Sequence, residues 1–358
     1  MKTARRRKTA SLPIKRRKRR AVSKRKNRSA KSAKSVKPQA AKGPYVEGYQ
    51  TGHEEGYNKG YEDGTKQAEG QRADHSHSWE SAERAGYEKG LKIGRYEGGD
   101  AIIDEQLPEA HVLPDTSVAQ VIASGIAALG DRIVHLLTAQ QVAERLMEAL
   151  EQRKPLSVVR LGDGELLTLA QESVLPIEQV RHEGGFLEYA GVKVPDIAAR
   201  DRLLAAVKRA DIVGIPKLRQ PNYQRLATAV FQTYGIDFRS KVLTDSLVNY
   251  RLYQDGHLPR LMRGRRVLII GNLAQPLAKV LAESGVAVVG AVAHVQGIHD
   301  VDRVMGEIRQ HDFELALVSA GIAAVILADA IAVEMGKAAL DFGHMANSIV
   351  KGEAPIQA

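Results

Sequence analysis

Residues 138–350 predict an α/β fold with a doubly wound, mainly parallel sheet, on two observations. Short apolar runs rich in Val, Ile and Leu alternate with amphipathic segments, the pattern of strands buried on both faces and joined by crossover helices. The residues just past each run are polar and of both signs, as expected where ligands bind at the carboxyl ends of such sheets.

Taken in order, the strands are LSVVRL (156–161), DIVGIP (211–216), KVLTD (241–245), RVLIIG (266–271), VAVVGAVA (286–293), LALVSAG (315–321) and AALDFG (338–343). Segments such as ARDRLLAAVKRA (199–210) and PLAKVLAESG (276–285) supply the helices between them. The apolar spacing from Leu107 to about Gln152 predicts a helical lead-in over 101–137 and a further helix N-capped by Thr138. The architecture is Rossmann-like, yet VLIIGNLAQPLAKVL has only Gly271 in its turn and lacks G-x-G-x-x-G, which argues against a dinucleotide cofactor. No G-x-x-x-x-G-K-[ST] loop and no G-x-S-x-G elbow occurs either.

Two unlike pieces precede this body. Residues 1–43 hold 19 of the 52 Lys and Arg and no acid, leaving 33 basic against 42 acidic residues, a net charge of −9, for the rest. The formal +10 therefore belongs to a tail that like charges keep from collapsing. Its runs have no aromatic residue, so any polyanion contact through residues 1–43 is phosphate-driven and salt-sensitive. Residues 44–100 carry a degenerate four-residue repeat: Gly48, Gly52, Gly56, Gly60 and Gly64, returning in AGYEKGLKIGRYEGG (85–99). Spacing by four suits a helix, but each glycine costs about 1 kcal/mol relative to alanine. Either the stripe admits a second helix at close range, implying self-association, or the segment is a linker. The polar stretch RADHSHSWE around His75–His77 reads as linker, and Glu183 as a loop acid.

The absence of cysteine excludes disulfides and thiolate metal sites. With no secretory signal and no run of roughly 18 apolar residues, a cytoplasmic protein with no membrane span is expected.

At the strand ends stand Arg160, Gly162, Asp163 and Glu165, then Lys217 and Arg219, Asp245 and Asn249, Gly271 and Asn272, His294, Ser319 and Gly321, and Asp341 and His344. Asp163 and Glu165, separated by a glycine, are two hard oxygen ligands suited to Mg²⁺ or Mn²⁺, which leave sites for water and phosphate. The alternative is an Asp-Gly turn followed by a first-turn glutamate favoured by the helix dipole.

SVVRLGDGELLTLA (157–170) resembles the R-[FL]-G-D-G-E segment of bacterial GT-D-type glycosyltransferases, and FELALVSAGIAAVILADAIAVEMGKAALDFGHM (313–345) is similar to that family's closing strand-helix-strand ending in D-x-G-H. The resemblance spans about residues 140–346. It implies that Asp163 and Glu165 bind a divalent metal and the diphosphate of a nucleotide-sugar donor, a UDP-sugar being the first guess, with Arg160 and Gly162 framing the pair. Asp341, Gly343 and His344 match the closing motif, and TDSLVNYRL from Thr244 matches a middle stretch. MANSI after His344 and SAGIAA after Val318 depart from the family's pattern, so the glycan or protein acceptor is not carried over. Asp341, His344 and Asp245 are the candidates for the base that deprotonates the acceptor, and Gly271 and Asn272 for donor contacts at the fourth strand.

Two other classes fit the same chain: a polyanion-binding scaffold with an inactive body, and a metal-dependent nucleotide hydrolase. Under the transferase reading the tail and repeat are targeting devices for an anionic or self-assembled structure such as a spore layer or bacterial surface.

Overall fold

The computed structural model describes residues 59–60, 75–219 and 221–356; the basic tail and most of the glycine repeat lie outside them. The chain divides into two compact units, residues 1–127 and 128–358.

In the first unit, α1 (His75–Arg95) leads through a single π-helical turn (Tyr96–Asp100) into α2 (Ala101–Gln106). The stretch around His75–His77, read as linker, is thus the first turn of a 21-residue helix. Polarity misled there: α1 is exposed on most of its surface, and Glu, Arg, Lys and Ala are good helix formers, with Arg84 and Glu88 paired at i, i+4 (3.5 Å). Two glycines of the repeat, Gly60 and Gly86, approach each other closely. A Cβ on Gly60 would fall 2.8 Å from the Gly86 carbonyl oxygen, and one on Gly86 2.7 Å from that of Gly60, so two helical backbones touch where only glycine fits.

The helical run expected from Leu107 is interrupted. Residues 107–117 are non-helical and contain Pro108 and Pro114, which supply no amide donor. Helix α3 (Val118–Leu129) follows, and Gly130, at φ 46°, opens the 3₁₀ turn after it.

The second unit opens with α4 (Ala139–Gln152), whose capping box is complete: Thr138 Oγ1 accepts from the Gln141 amide (3.2 Å) and Gln141 Oε1 from that of Thr138 (2.9 Å). In chain order come β1 (Leu156–Arg160), α5 (Asp163–Ala170), α6 (Ile177–Glu183), α7 (Ile197–Arg209), β2 (Ile212–Ile215), α8 (Tyr223–Thr233), β3 (Leu243–Asp245), α9 (Val248–Gln254) and α10 (His257–Met262). After them come β4 (Val267–Gly271), α11 (Ala274–Glu283), β5 (Val288–Val292), α12 (Val301–Ile308), β6 (Leu315–Ser319), α13 (Ala323–Met335), β7 (Ala338–Asp341) and α14 (Met345–Val350). Glu183 closes α6 and is therefore a helical residue, not a loop acid.

All seven strands are parallel, in the order β3-β2-β1-β7-β6-β4-β5. Right-handed crossovers then dictate which face each helix covers. Connections toward the β3 edge (α5 to α8, α12 and α13) share one face, and those toward the β5 edge (α9 to α11) share the other. The core divides accordingly. One cluster joins Leu166, Leu203, Phe231, Met305 and Ile331; the other joins Leu252, Leu261 and Leu277 with Leu146 of α4 and Ile349 of α14. Strand residues alternate between them: Val267 and Ile269 face the second cluster, Leu268 and Ile270 the first. Sequence order reverses between β1 and β4, so the crevice expected of such sheets lies at the carboxyl ends of β1, β7 and β6.

Candidate active site

Strand β1 ends in Arg160, and α5 begins three residues later, so the D-x-E pair forms the first turn of a helix. Glu165 occupies the third helical position and caps its own helix: its Oε2 accepts from the Gly162 amide (2.8 Å). Asp163 is exposed, and its Oδ1 accepts from the Gly164 amide (2.9 Å). Of the two alternatives left open by the spacing, the first-turn glutamate is the one seen, and Asp163 presents an open carboxylate in the same helical turn.

Arg160 binds the strand ends together. Its Nε and Nη2 donate to the carbonyl (3.1 Å) and Oδ1 (2.9 Å) of Asp341, and Nη1 donates to the Ser246 carbonyl (3.1 Å) and Asn249 Oδ1 (3.4 Å). Asn249, fully buried, returns a bond from Nδ2 to the Phe342 carbonyl (2.8 Å). Two glycines make room. A Cβ on Gly214 of β2 would lie 3.3 Å from Arg160 Cγ, and one on Gly343, whose φ is 51°, would lie 1.8 Å from Nη2. The glycine of D-x-G-H is thus the seat of the arginine of R-x-G-D-x-E, which explains why two motifs far apart in sequence belong together.

The electrostatics follow from this packing. Asp341 is 3% exposed, and burial raises its carboxyl above the usual range although Arg160 opposes the shift. Burial first, and the neighbouring Asp341 charge second, push Glu165 up to about 7. Asp163, Glu165 and Asp341 set three carboxyls against one guanidinium, a local shortage of positive charge.

A divalent ion fits this donor set on one condition. Among the described residues no three His, Asp or Glu side chains are placed to hold a metal ion together, so the protein would supply at most the two carboxylates of Asp163 and Glu165, with phosphate oxygens and water completing the shell. Glu165 Oε2 is already engaged by its cap.

The remaining predicted residues fall in two places. His344 is exposed in the turn after β7 and precedes α14; Asp245 ends β3, its Oδ1 accepting from the Leu247 amide (3.0 Å). Both flank the Arg160 hub. Gly271 and Asn272 stand beyond β6 instead. Gly271, at φ 135°, permits close strand approach, since a Cβ there would meet the Ser319 carbonyl oxygen at 2.1 Å, and Asn272 Oδ1 accepts from the Val295 amide (2.9 Å), holding the loop after β5. Asn249 stood among the polar residues past the third strand without an assigned role, and Ser246, which lends only its carbonyl, was not singled out.

This fold and rim define a Rossmann-like α/β domain with an acid-rich site at the ends of β1 and β7. The GT-D-like family, described as a GT-D fold-like domain, matches residues 137–349. The chain belongs to this family, and its α/β body is a GT-D-type glycosyltransferase domain. Two solved structures are similar to it: a highly conserved domain of unknown function 1792 described as having a distinct glycosyltransferase fold (TM-score 0.43), and the selenomethionine-substituted form of domain 1792 (0.41). Each is 15% identical and covers 63% of this chain and 84% of its own. No curated protein matches. No helix among the described residues is long and apolar enough to cross a membrane.

Proposed function

We propose that this domain transfers a sugar from a nucleoside diphosphate donor to a hydroxyl of a glycan or protein acceptor, with Mn²⁺ or Mg²⁺ held by Asp163 and Glu165. The observation that carries the reading is the charge imbalance at the ends of β1 and β7: three carboxyls, one arginine, and a glutamate pushed up to about 7. Such a site favours a cation and, through it, a polyphosphate. When bound, the ion supplies electrostatic stabilisation of the charge that grows on the leaving diphosphate.

The protein's own groups divide the remaining work. Arg160 is spent on Asp341, Ser246 and Asn249, so it positions the acids rather than gripping the donor. Gly162 lends its amide to Glu165 and fixes that carboxylate's direction. Access ranks the acceptor bases: Asp341 is buried and paired, Asp245 is half-buried and engaged by Leu247, and His344 is open. We assign the acceptor proton to His344. Cytoplasmic residence, with the tail and repeat directing the enzyme to an anionic or self-assembled surface, completes the proposal.

Calorimetric titration of the full chain with UDP, GDP and TDP, with and without Mn²⁺, tests it. Salt of about 0.3 M screens the basic tail. Asp163→Ala and Glu165→Ala carry the same tail, so binding that needs both metal and both carboxylates supports the site. Equal binding by wild type and variants overturns it.

A further inference from the structure

Beside the D-x-E turn the chain displays an aromatic ring that belongs to neither core cluster. Phe186 lies in the segment 184–192 that follows α6, and 38% of its surface is open. Its Cε2 lies 3.5 Å from where a side chain on Gly164 would begin, on a wall shared with Ile322. The ring therefore stands directly beside the glycine between the two acids.

The segment is fastened beyond Phe186. Gly191 and Gly297, at φ 91° and 90°, meet so closely that a Cβ on Gly191 would fall 2.3 Å from Gly297 Cα. Asp196 Oδ2 and His299 Nε2 join the same two stretches at 2.6 Å. The Ala190 carbonyl oxygen would lie 3.4 Å from a Cβ on Gly321, past the end of β6. This part of the chain thus runs from α6 across the carboxyl ends of the sheet to the loop after β5. A backbone fastened in this way keeps Phe186 at its place, so a ligand that stacks on the ring spends little entropy on ordering the segment that carries it.

We propose that Phe186 is the stacking platform for the nucleobase of the donor, an inference that rests on the nucleoside diphosphate reading of the D-x-E site. A diphosphate beside Asp163 and Glu165 places its nucleoside within reach of a ring that touches Gly164. Every nucleobase has a π face, and stacking on an aromatic side chain needs no hydrogen-bond partner. Phe186 shares the wall at Gly164 with Ile322, a member of the cluster on the sheet face that carries α6 and α13, whereas His344 precedes α14 on the other face. The donor base and the acceptor hydroxyl are thereby given opposite flanks of the carboxylates.

The experiment is calorimetry on the full chain in Mn²⁺ and about 0.3 M salt, with UDP, GDP, TDP and inorganic pyrophosphate as ligands. Wild type is compared with Phe186→Ala, Phe186→Leu and Phe186→Trp. Leu keeps an apolar side chain beside Gly164, and Trp keeps the π face. The expected result is a roughly ten- to hundredfold loss of nucleoside diphosphate affinity in the Ala and Leu variants, retention in Trp, and unchanged pyrophosphate binding throughout. Unchanged nucleoside diphosphate affinity in Ala and Leu overturns the assignment, as does a parallel loss of pyrophosphate, which marks damage to the turn itself. Pyrophosphate bound with no gain from the nucleoside in wild type overturns the platform alone. Failure of wild type to bind either ligand sinks the D-x-E reading and the platform with it.

Discussion

Two arginine–aspartate pairs bury an acid in this domain, and they are built differently. Arg209, half-exposed at the end of α7, donates from Nε and Nη2 to a single oxygen of Asp329 in α13, leaving Oδ1 without a partner in a fully buried carboxylate. Near it, Asp211 Oδ2 accepts from the amide (2.8 Å) and hydroxyl (2.9 Å) of Ser157, and Lys241 Nζ donates to backbone carbonyls. Acids and bases there are matched. Arg160 instead divides its donors among β7, the turn after β3 and Asn249, and the acid it holds faces a second one, Glu165. One end of the sheet neutralises its charge to hold elements together, while the other keeps a surplus of acid beside solvent. That surplus is the feature on which the proposed binding role rests.

The largest test of this contrast removes the hub. Arg160→Ala leaves Asp341 buried without its cation and is expected to cost about 3–5 kcal/mol, read as a lowered urea midpoint. Next comes the surplus itself. In metal-free protein the native state holds the Glu165 proton more tightly than the unfolded chain does. Stability contributed by that proton is therefore complete below about pH 4.5 and is lost as pH rises through about 7, by at most about 3 kcal/mol. Glu165→Gln is expected to remove this component of the slope in urea unfolding between pH 5 and 8, and a slope identical to wild type would show that the carboxyl is not perturbed. Arg209→Gln, at the balanced end, is expected to cost about 1–2 kcal/mol because solvent reaches the half-exposed guanidinium and weakens the pair. Smallest is Ser157→Ala, at about 1 kcal/mol, with nucleotide affinity unchanged; a loss of affinity there would break the division of labour between the two ends.

The sheet was legible because burial on both faces writes strands as unbroken apolar runs, and all seven appear within a residue or two of where those runs place them. Strand order was not legible. Nothing in AALDFG says that it pairs with LSVVRL, so the partnership of Arg160 with Asp341, 181 residues away, emerged only from topology. The D-x-E turn could be located because it follows a strand directly. Phe186 was hidden by the opposite circumstance: an isolated aromatic in a glycine-containing turn has no periodicity to betray it. The interruption after Leu107 was written in Pro108 and Pro114, which the apolar spacing outweighed.

Strand β7 has a further consequence. It is the last of the seven to leave the ribosome, yet it occupies the middle of the sheet, joining the β1–β3 half to the β4–β6 half. Until it inserts, each half presents an open edge, and Asp341 and Gly343 have not reached Arg160. Synthesis order thus acts as a timer: a nascent chain that has not yet made its seventh strand carries the D-x-E turn but not the Arg160–Asp341 pair, which forms in the same event that closes the sheet.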